Sequence, residues 1–370
     1  MVFIIFLVAI FCRPFISSLA FPYLDFVYSL VFFIFLVIFA IFKKALFVKF
    51  KPVIFPLVFF LLALIISVVF SKNKLNSLWV FYKYLSMIFL FLVAAALPEK
   101  EKLLVIKTIV SCAFLVSCMA IYQYFFGFKH VLSYLSEHKV IFPFALDYLQ
   151  SKRVFVPFVT PGILGGYLVM MIPLCFIIKN SFWLILPVFI ALLLTKSLGA
   201  FLGLFCVLVI FFCLRGKFKN KQIFVLAGLW VVMILIFILR SLTQRAHLSP
   251  VFSVGMRLGY WHDALAIIKA HPLVGIGLGN FTLGMSRYAH NSYLQILAEM
   301  GPLGLAALIW FVFVVIKSRL KDLIQPFYNN QTMCLLMASC VFLIHNLLDF
   351  SFFLPEVAYL WWVILGLVVL

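Results

Sequence analysis

GMRLGYWHDALAIIKAHPLVGIGLGNF (Gly255–Phe281) and AHNSYLQILAEMGPLGL (Ala289–Leu305) stand in the longest polar passage of the chain, between Ser241 and Gly304. Almost everything on either side is apolar. Of the 370 residues 67% are hydrophobic and only 11% charged, with 47 phenylalanines. A bilayer-crossing helix needs roughly 20 apolar residues, and soluble domains are only about half apolar. The composition excludes an ordinary soluble domain. It predicts an all-α polytopic membrane protein in which this passage is the place for water, charge and chemistry.

Apolar runs bounded by charge or turn residues predict about twelve transmembrane helices. They fall near 2–20, 25–42, 53–70, 78–97, 103–126, 157–178, 182–195, 198–214, 222–240, 290–316, 331–348 and 353–370. The apolar start of the chain is read as two spans, because no small-residue cleavage site follows a single short core. With no repeat, linker or appended soluble domain in view, residues 1–370 are taken as one membrane domain. All eight cysteines lie in apolar runs without C-x-x-C spacing, which suits small buried hydrophobes and gives no metal site.

Net charge is +19, from 29 Lys+Arg against 10 Asp+Glu. Basic connectors recur on alternate sides: Lys43, Lys44, Lys49 and Lys51; Lys100 and Lys102; Lys179; Arg215 to Lys221; Lys317, Arg319 and Lys321. The positive-inside rule places these in the cytoplasm, with both termini inside and segments 127–156 and 241–289 outside. Anchoring of this kind calls for membrane lipids and not for nucleic acid. The outward side still keeps cations that topology does not require, among them Lys72, Arg153, Lys196, Arg240, Arg245 and Arg257. Two partners suit them: an anionic ligand, or anionic lipid headgroups.

Within the outward loop, residues 256–270 read as a helix lying along the membrane surface. Leu258, Trp261, Leu265 and Ile268 recur at helical spacing, and Pro272 stops the run. Trp261 suits an interfacial anchor. Arg257, one turn before it, could meet a diphosphate bidentately or simply hold a headgroup. Gly275, Gly277 and Gly279 alternate without the Rossmann pattern, so they read as a re-entry turn or as amides able to cradle a phosphate. His290 and Asn291 mark the return to the membrane, and Asn291, Gln295 and Glu299 form a polar stripe at i, i+4 and i+8. Packing and capping are the alternatives to a functional role for these groups. His345 and Asp349, also i and i+4, are close enough on one face to bond, primarily as structure.

These residues resemble the O-antigen ligase and O-antigen polymerase family of bacterial membrane glycosyltransferases. The resemblance is carried by R-L-x-x-W-x-x-A-L-x-x-I-K-x-H-P-L-x-G-I-G-L-G-N-F from Arg257 to Phe281. It continues through A-H-N-S-Y-L-Q-I-L-A-E-M-G-P-L-G-L, so that the signature region spans 257–305. Weaker echoes lie at Arg153–Leu168, Ser197–Ala200 and His345–Asp349. Leu198 stands where the family often has arginine in S-R-G-A, and Gly162 where an asparagine is usual.

The resemblance implies a C-type integral-membrane glycosyltransferase in the bacterial inner membrane, with its active site facing the periplasm. Its donor would be a glycan on an undecaprenyl diphosphate carrier. Its acceptor would be lipid A–core for a ligase, or a second lipid-linked unit for a polymerase. His290 and Glu299 would be catalytic, and Arg257, Arg153 and Lys196 would bind the diphosphate, Lys196 covering for Leu198. Asn291, Gln295, Trp261, His345 and Asp349 would support them. No cofactor or metal is expected, since outward arginines can supply the charge a metal would bring. A lipid-linked-sugar flippase or transporter is the competing class, and polar residues gathered at one rim favour the enzyme over it.

Overall fold

Backbone amides have no water to bond inside a bilayer, so uninterrupted apolar sequence folds there as helix. The computed structural model describes residues 2–42, 51–137, 149, 151–179, 181–214, 220–243, 249–284, 286–324 and 330–369. Among them there are helices and no strands. Lys43, Lys44, Lys49, Lys139, Arg215, Lys217, Lys219 and Arg245 lie outside the described residues.

The first half of the chain forms α1 (Val2–Cys12), α2 (Pro22–Phe42), α3 (Lys51–Val69), α4 (Lys74–Ala96), α5 (Glu99–Tyr122) and α6 (Phe128–Glu137). The second half forms α7 (Pro161–Cys175), α8 (Phe182–Thr195), α9 (Leu198–Leu214), α10 (Asn220–Thr243) and α11 (Pro250–Ala270). It ends in α12 (Ser292–Ile324), α13 (Asn330–His345) and α14 (Pro355–Val368). Among the described residues six helices are long and apolar enough to cross a membrane, and six shorter apolar ones have 10–17 residues. Each falls on an apolar run of the sequence.

Among the boundaries that differ from the sequence expectation, three have a clear physical reason. The fifth run does not stop near 126, because a π turn at Gln123–Gly127 carries the helix on into α6. α12 continues to Ile324 but is broken at Gly301, whose φ of 68° is left-handed and precedes Pro302. The surface helix starts earlier than residue 256, at Pro250, where Ser249 caps it by accepting from the Phe252 amide at 3.2 Å.

Every residue of α14 is buried, and it packs on α4 and α13. α7 is buried at every position but Gly162, between α8 and α13. Gly166 allows the closest approach there, since a Cβ on it would stand 2.4 Å from the His345 ring. Beside the N-terminus of α14 lies a charged cluster that the sequence does not announce. Arg13 bonds Asp25 and stands 3.6 Å from Glu356, and Lys83 reaches Asp25 at 2.8 Å. At the opposite end, Lys102 and Arg319 donate to the Val369 and Val368 carbonyls at 2.9 and 3.1 Å. Basic residues expected as cytoplasmic anchors thus also cap a helix C-terminus.

Candidate functional site

Six segments meet at the end of the bundle that carries α11: the approach to α7, the α8–α9 corner, the top of α10, α11 itself, the loop before α12 and the turn after α13. Between them lies a cavity of about 480 Å³. Arg153, Arg240, Arg257, His290, His345 and Asp349 all line it, with Tyr260, Trp261 and Phe350 among its aromatic walls. Among the described residues, three guanidiniums therefore share this hollow with a single carboxylate.

Backbone carbonyls aim the arginines. Arg257 leaves the first turns of α11 and donates from Nε to the Leu348 carbonyl at 3.1 Å and from Nη1 to that of Ser253 at 3.4 Å. Arg153 donates from Nε to the Thr195 carbonyl at 3.0 Å. Arg240, in the last turn of α10, reaches the Lys196 carbonyl at 3.5 Å. Such contacts help fix the direction of each fork.

Lys196 is placed differently from the expectation. It caps α8 in left-handed backbone, φ 51°, and its Nζ turns to the Ser151 carbonyl at 2.9 Å instead of lining the cavity. Burial, followed by the charges of Arg153, Arg240 and Lys152, pushes its ammonium below the usual lysine range. That depression is first a consequence of burial, and the neighbouring cations add to it.

His290 precedes α12 with φ 51°, a left-handed conformation that few non-glycine residues adopt. Its ring stacks on Tyr260 and meets the edge of Phe350 at 4.7 Å. Burial pushes the imidazole down from 6.5 to about 4, with Asp349 pulling upward and Arg257 reinforcing the fall. At neutral pH it is an uncharged ring able to accept a proton.

The stripe after His290 holds the loop and does not enter the cavity. Asn291 caps α12 by accepting from the Tyr293 and Leu294 amides. Gln295 accepts from the Ala289 amide at 3.2 Å and donates to Glu299 at 3.0 Å. Glu299, expected beside the histidine as a catalytic group, is buried deeper and accepts from the Gly279 amide at 2.9 Å. Two helical turns carry it beneath the glycine run, away from the reacting end. Gly275 and Gly277 have φ of 71° and 96°, and a Cβ on either would stand about 2.5 Å from the Glu299 backbone or Ser71. The amides of this run serve protein groups, Glu299 among them.

Two supporting residues come closer to the site than their sequence roles required. His345 lies 3.2 Å from Asp349 through Nε2, which also faces the Gly162 carbonyl at 3.3 Å. Its Nδ1 has no partner among the described residues. Trp261 lines the cavity beside Val254 and Leu258, which with Val251 and Leu265 also form an exposed apolar stripe on α11. In the sequence Arg240 is only one of many outward cations, and neither Tyr260 nor Phe350 stands out. An arginine ending an apolar helix is the available signal for the first; the aromatic pair has none. Among the described residues no group of three or more His, Cys, Asp or Glu could hold a metal ion.

A helical membrane protein with a cationic, histidine-bearing cavity at one end is the class this geometry defines. Residues 181–309 match the family model described as O-Antigen ligase. The chain is an all-helical membrane protein, and over that segment it is similar to the O-antigen ligase family. The match takes in Arg240, Arg257, Tyr260 and His290 and ends before His345. An uncharacterized protein of Haemophilus influenzae is 24% identical, over 81% of this chain and 80% of its own length.

Proposed function

We propose that the protein is a glycosyltransferase that moves a glycan from an undecaprenyl diphosphate carrier to a sugar hydroxyl of lipid A–core. It would act at the periplasmic face of a bacterial inner membrane, without a metal ion. The observation that carries this reading is that Arg257 and His290, from different elements, line one cavity with Arg153 on its wall. The exposed apolar stripe of α11 supports a helix lying in the membrane surface, where both substrates would arrive.

The acceptor oxygen forms a bond to the anomeric carbon as the bond from that carbon to the diphosphate oxygen breaks. The bonding pair leaves with the diphosphate, and the acceptor proton passes to the neutral His290 ring. Attack opposite the leaving group inverts the anomeric centre. Arg257 and Arg153 stabilise the growing diphosphate charge, and stabilisation of developing charge usually contributes most to lowering such a barrier. Asp349 steadies the protonated imidazole, and Glu299 holds the loop that presents it.

Purified protein in liposomes, given a lipid-linked glycan with lipid A–core or with a second lipid-linked unit, tests the proposal. Transfer to lipid A–core after exhaustive chelation is expected. Chain growth on the second unit alone makes the protein a polymerase. Movement of the donor across the bilayer without transfer makes it a transporter and ends the enzyme reading.

A further inference from the structure

A second hollow, of about 450 Å³ and open to the surface, lies at the far end of α11. The last turns of α11, the turn between α3 and α4 and the glycine run enclose it. Ile267 and Ile276 give it an apolar wall, and Lys72, His271, Asn280 and Thr282 supply its polar groups. Lys72, His271 and Thr282 make no side-chain hydrogen bond among the described residues. Asn280 is held in place: its amide nitrogen donates to the Ser71 and Ser77 hydroxyls at 2.7 and 3.0 Å and to the Leu278 carbonyl at 3.1 Å. That leaves its oxygen to accept. Donors and an acceptor therefore converge on a space where the protein makes no use of them, which is how a binding site is built.

This hollow shares no lining residue with the cationic cavity. Ile267 and Ile276 pack on a small buried cluster that includes Ala289, the neighbour of His290. Along α11 the order is Arg257, then Tyr260 against the His290 ring, then Ile267. Ile267 is two turns on from Tyr260, on the same face and about 10 Å away at 1.5 Å per residue. A single displacement brings the acceptor in opposite the leaving group. With the diphosphate among the arginines, the body of the acceptor extends past His290 towards this second hollow.

We propose that the hollow is a remote subsite for the acceptor glycan, holding the hydroxyls of a sugar further along the chain than the attacking one. The direction of that chain rests on the glycosyltransferase reading; the hollow rests on its unused polar groups. A bare anion fits less well. Lys72 is joined by an oxygen acceptor at Asn280, and the exposed Asp263 precedes Ala266 and Ile267 on the same face of α11. Sugar hydroxyls both give and take hydrogen bonds, so they suit such a mixture. Binding this far from the reacting bond orients the acceptor at the bond that forms.

Ala266 lines the hollow and is exposed, so Ala266→Trp fills the space without entering the core. Binding is measured in nanodiscs with two oligosaccharide probes, one for each acceptor class: deacylated, dephosphorylated core oligosaccharide, and the glycan released from a lipid-linked unit. Each is compared with its own terminal monosaccharide. The wild type should bind one oligosaccharide about tenfold more tightly than its monosaccharide, a clear margin in binding terms. Ala266→Trp should abolish that advantage and leave undecaprenyl diphosphate binding unchanged. Leu265→Trp, next in the chain but outside the hollow, should keep it. Lys72→Ala with Thr282→Ala carries the same test if Ala266→Trp does not give a monodisperse protein. An advantage that survives blocking overturns the subsite. Displacement of the bound oligosaccharide by inorganic phosphate also overturns it and makes the hollow an anion site. If the wild type binds undecaprenyl diphosphate but shows no oligosaccharide advantage, the subsite alone falls. If it binds neither the carrier nor any sugar probe, the glycosyltransferase reading falls with it.

Discussion

The imidazole of His290 lies face to face with the phenol ring of Tyr260, their centroids 5.4 Å apart and their planes 18° from parallel. Phe350 closes the other side edge-on, at 85°. The ring is thus oriented by aromatic walls from α11 and from the turn after α13. Tyr260→Phe keeps the stack and should keep near-normal turnover. Tyr260→Ala should lower kcat by about ten- to a hundredfold, the cost of a misplaced catalytic group. Equal effects of the two variants on steady-state rates would locate the role in the hydroxyl instead.

His290→Ala removes the proposed base. Turnover should fall by about 10²- to 10⁴-fold, the range of general-base catalysis, while donor binding is retained. Near-normal turnover would assign the proton to another group.

The depressed His290 value gives the pH profile a sign. A base must be unprotonated, so kcat/KM of the free enzyme should hold as pH falls below 6.5 and decline only near the folded value of about 4. A bound diphosphate brings negative charge beside the imidazole and favours its protonated form. The acid limb of kcat should therefore lie at higher pH than that of kcat/KM. Coincident limbs at 6.5 in both profiles would contradict a buried neutral ring.

Arg257→Lys retains the charge but not the planar fork, and a point charge cannot copy bidentate contact. Donor affinity should drop about tenfold or more, a loss of roughly 1.4 kcal/mol, and isothermal binding of undecaprenyl diphosphate measures it. Full affinity in the lysine variant would reduce Arg257 to a general electrostatic contributor.

Glu299 and the glycine run offer a separation of scaffold from chemistry. Glu299→Gln preserves an oxygen acceptor for the Gly279 amide and should keep most of the activity. Gly275→Ala, forced into left-handed backbone against Glu299, should lose about 1–3 kcal/mol of stability, read by thermal unfolding in detergent. Loss of turnover in a well-folded Glu299→Gln protein would restore the carboxylate to a catalytic role.

Arg13 in the buried ion cluster tests packing far from the reaction. Arg13→Met leaves Asp25 and Glu356 without that partner and should destabilise by about 3–5 kcal/mol. A melting temperature equal to wild type would mean that Lys83 alone suffices.

The apolar runs made the helices legible, because a bilayer permits little else. The polar passage announced Arg257, Trp261 and His290 through their placement at a membrane rim, and the cavity unites them. What sequence could not convey is depth and direction. Glu299 shares a helix face with Asn291, yet two turns carry it below the cavity to the glycine loop. Lys196 neighbours Ser197 in the chain, but its cap conformation turns the ammonium towards Ser151. Arg240 looked like any cation ending a span until α9 and α10 came together. The Arg13, Asp25 and Glu356 cluster unites residues more than three hundred positions apart, beyond any local pattern.

Because α14 is enclosed on every side, its birth order matters. Its neighbours α4 and α13 both precede it in the sequence, so the helices it packs on are made before it emerges. Until then Arg13 and Asp25 can satisfy one another, whereas the chain lacks Glu356 altogether. Arrival of that carboxylate brings Glu356 beside Arg13, making the cluster a latch between the start of the chain and α14.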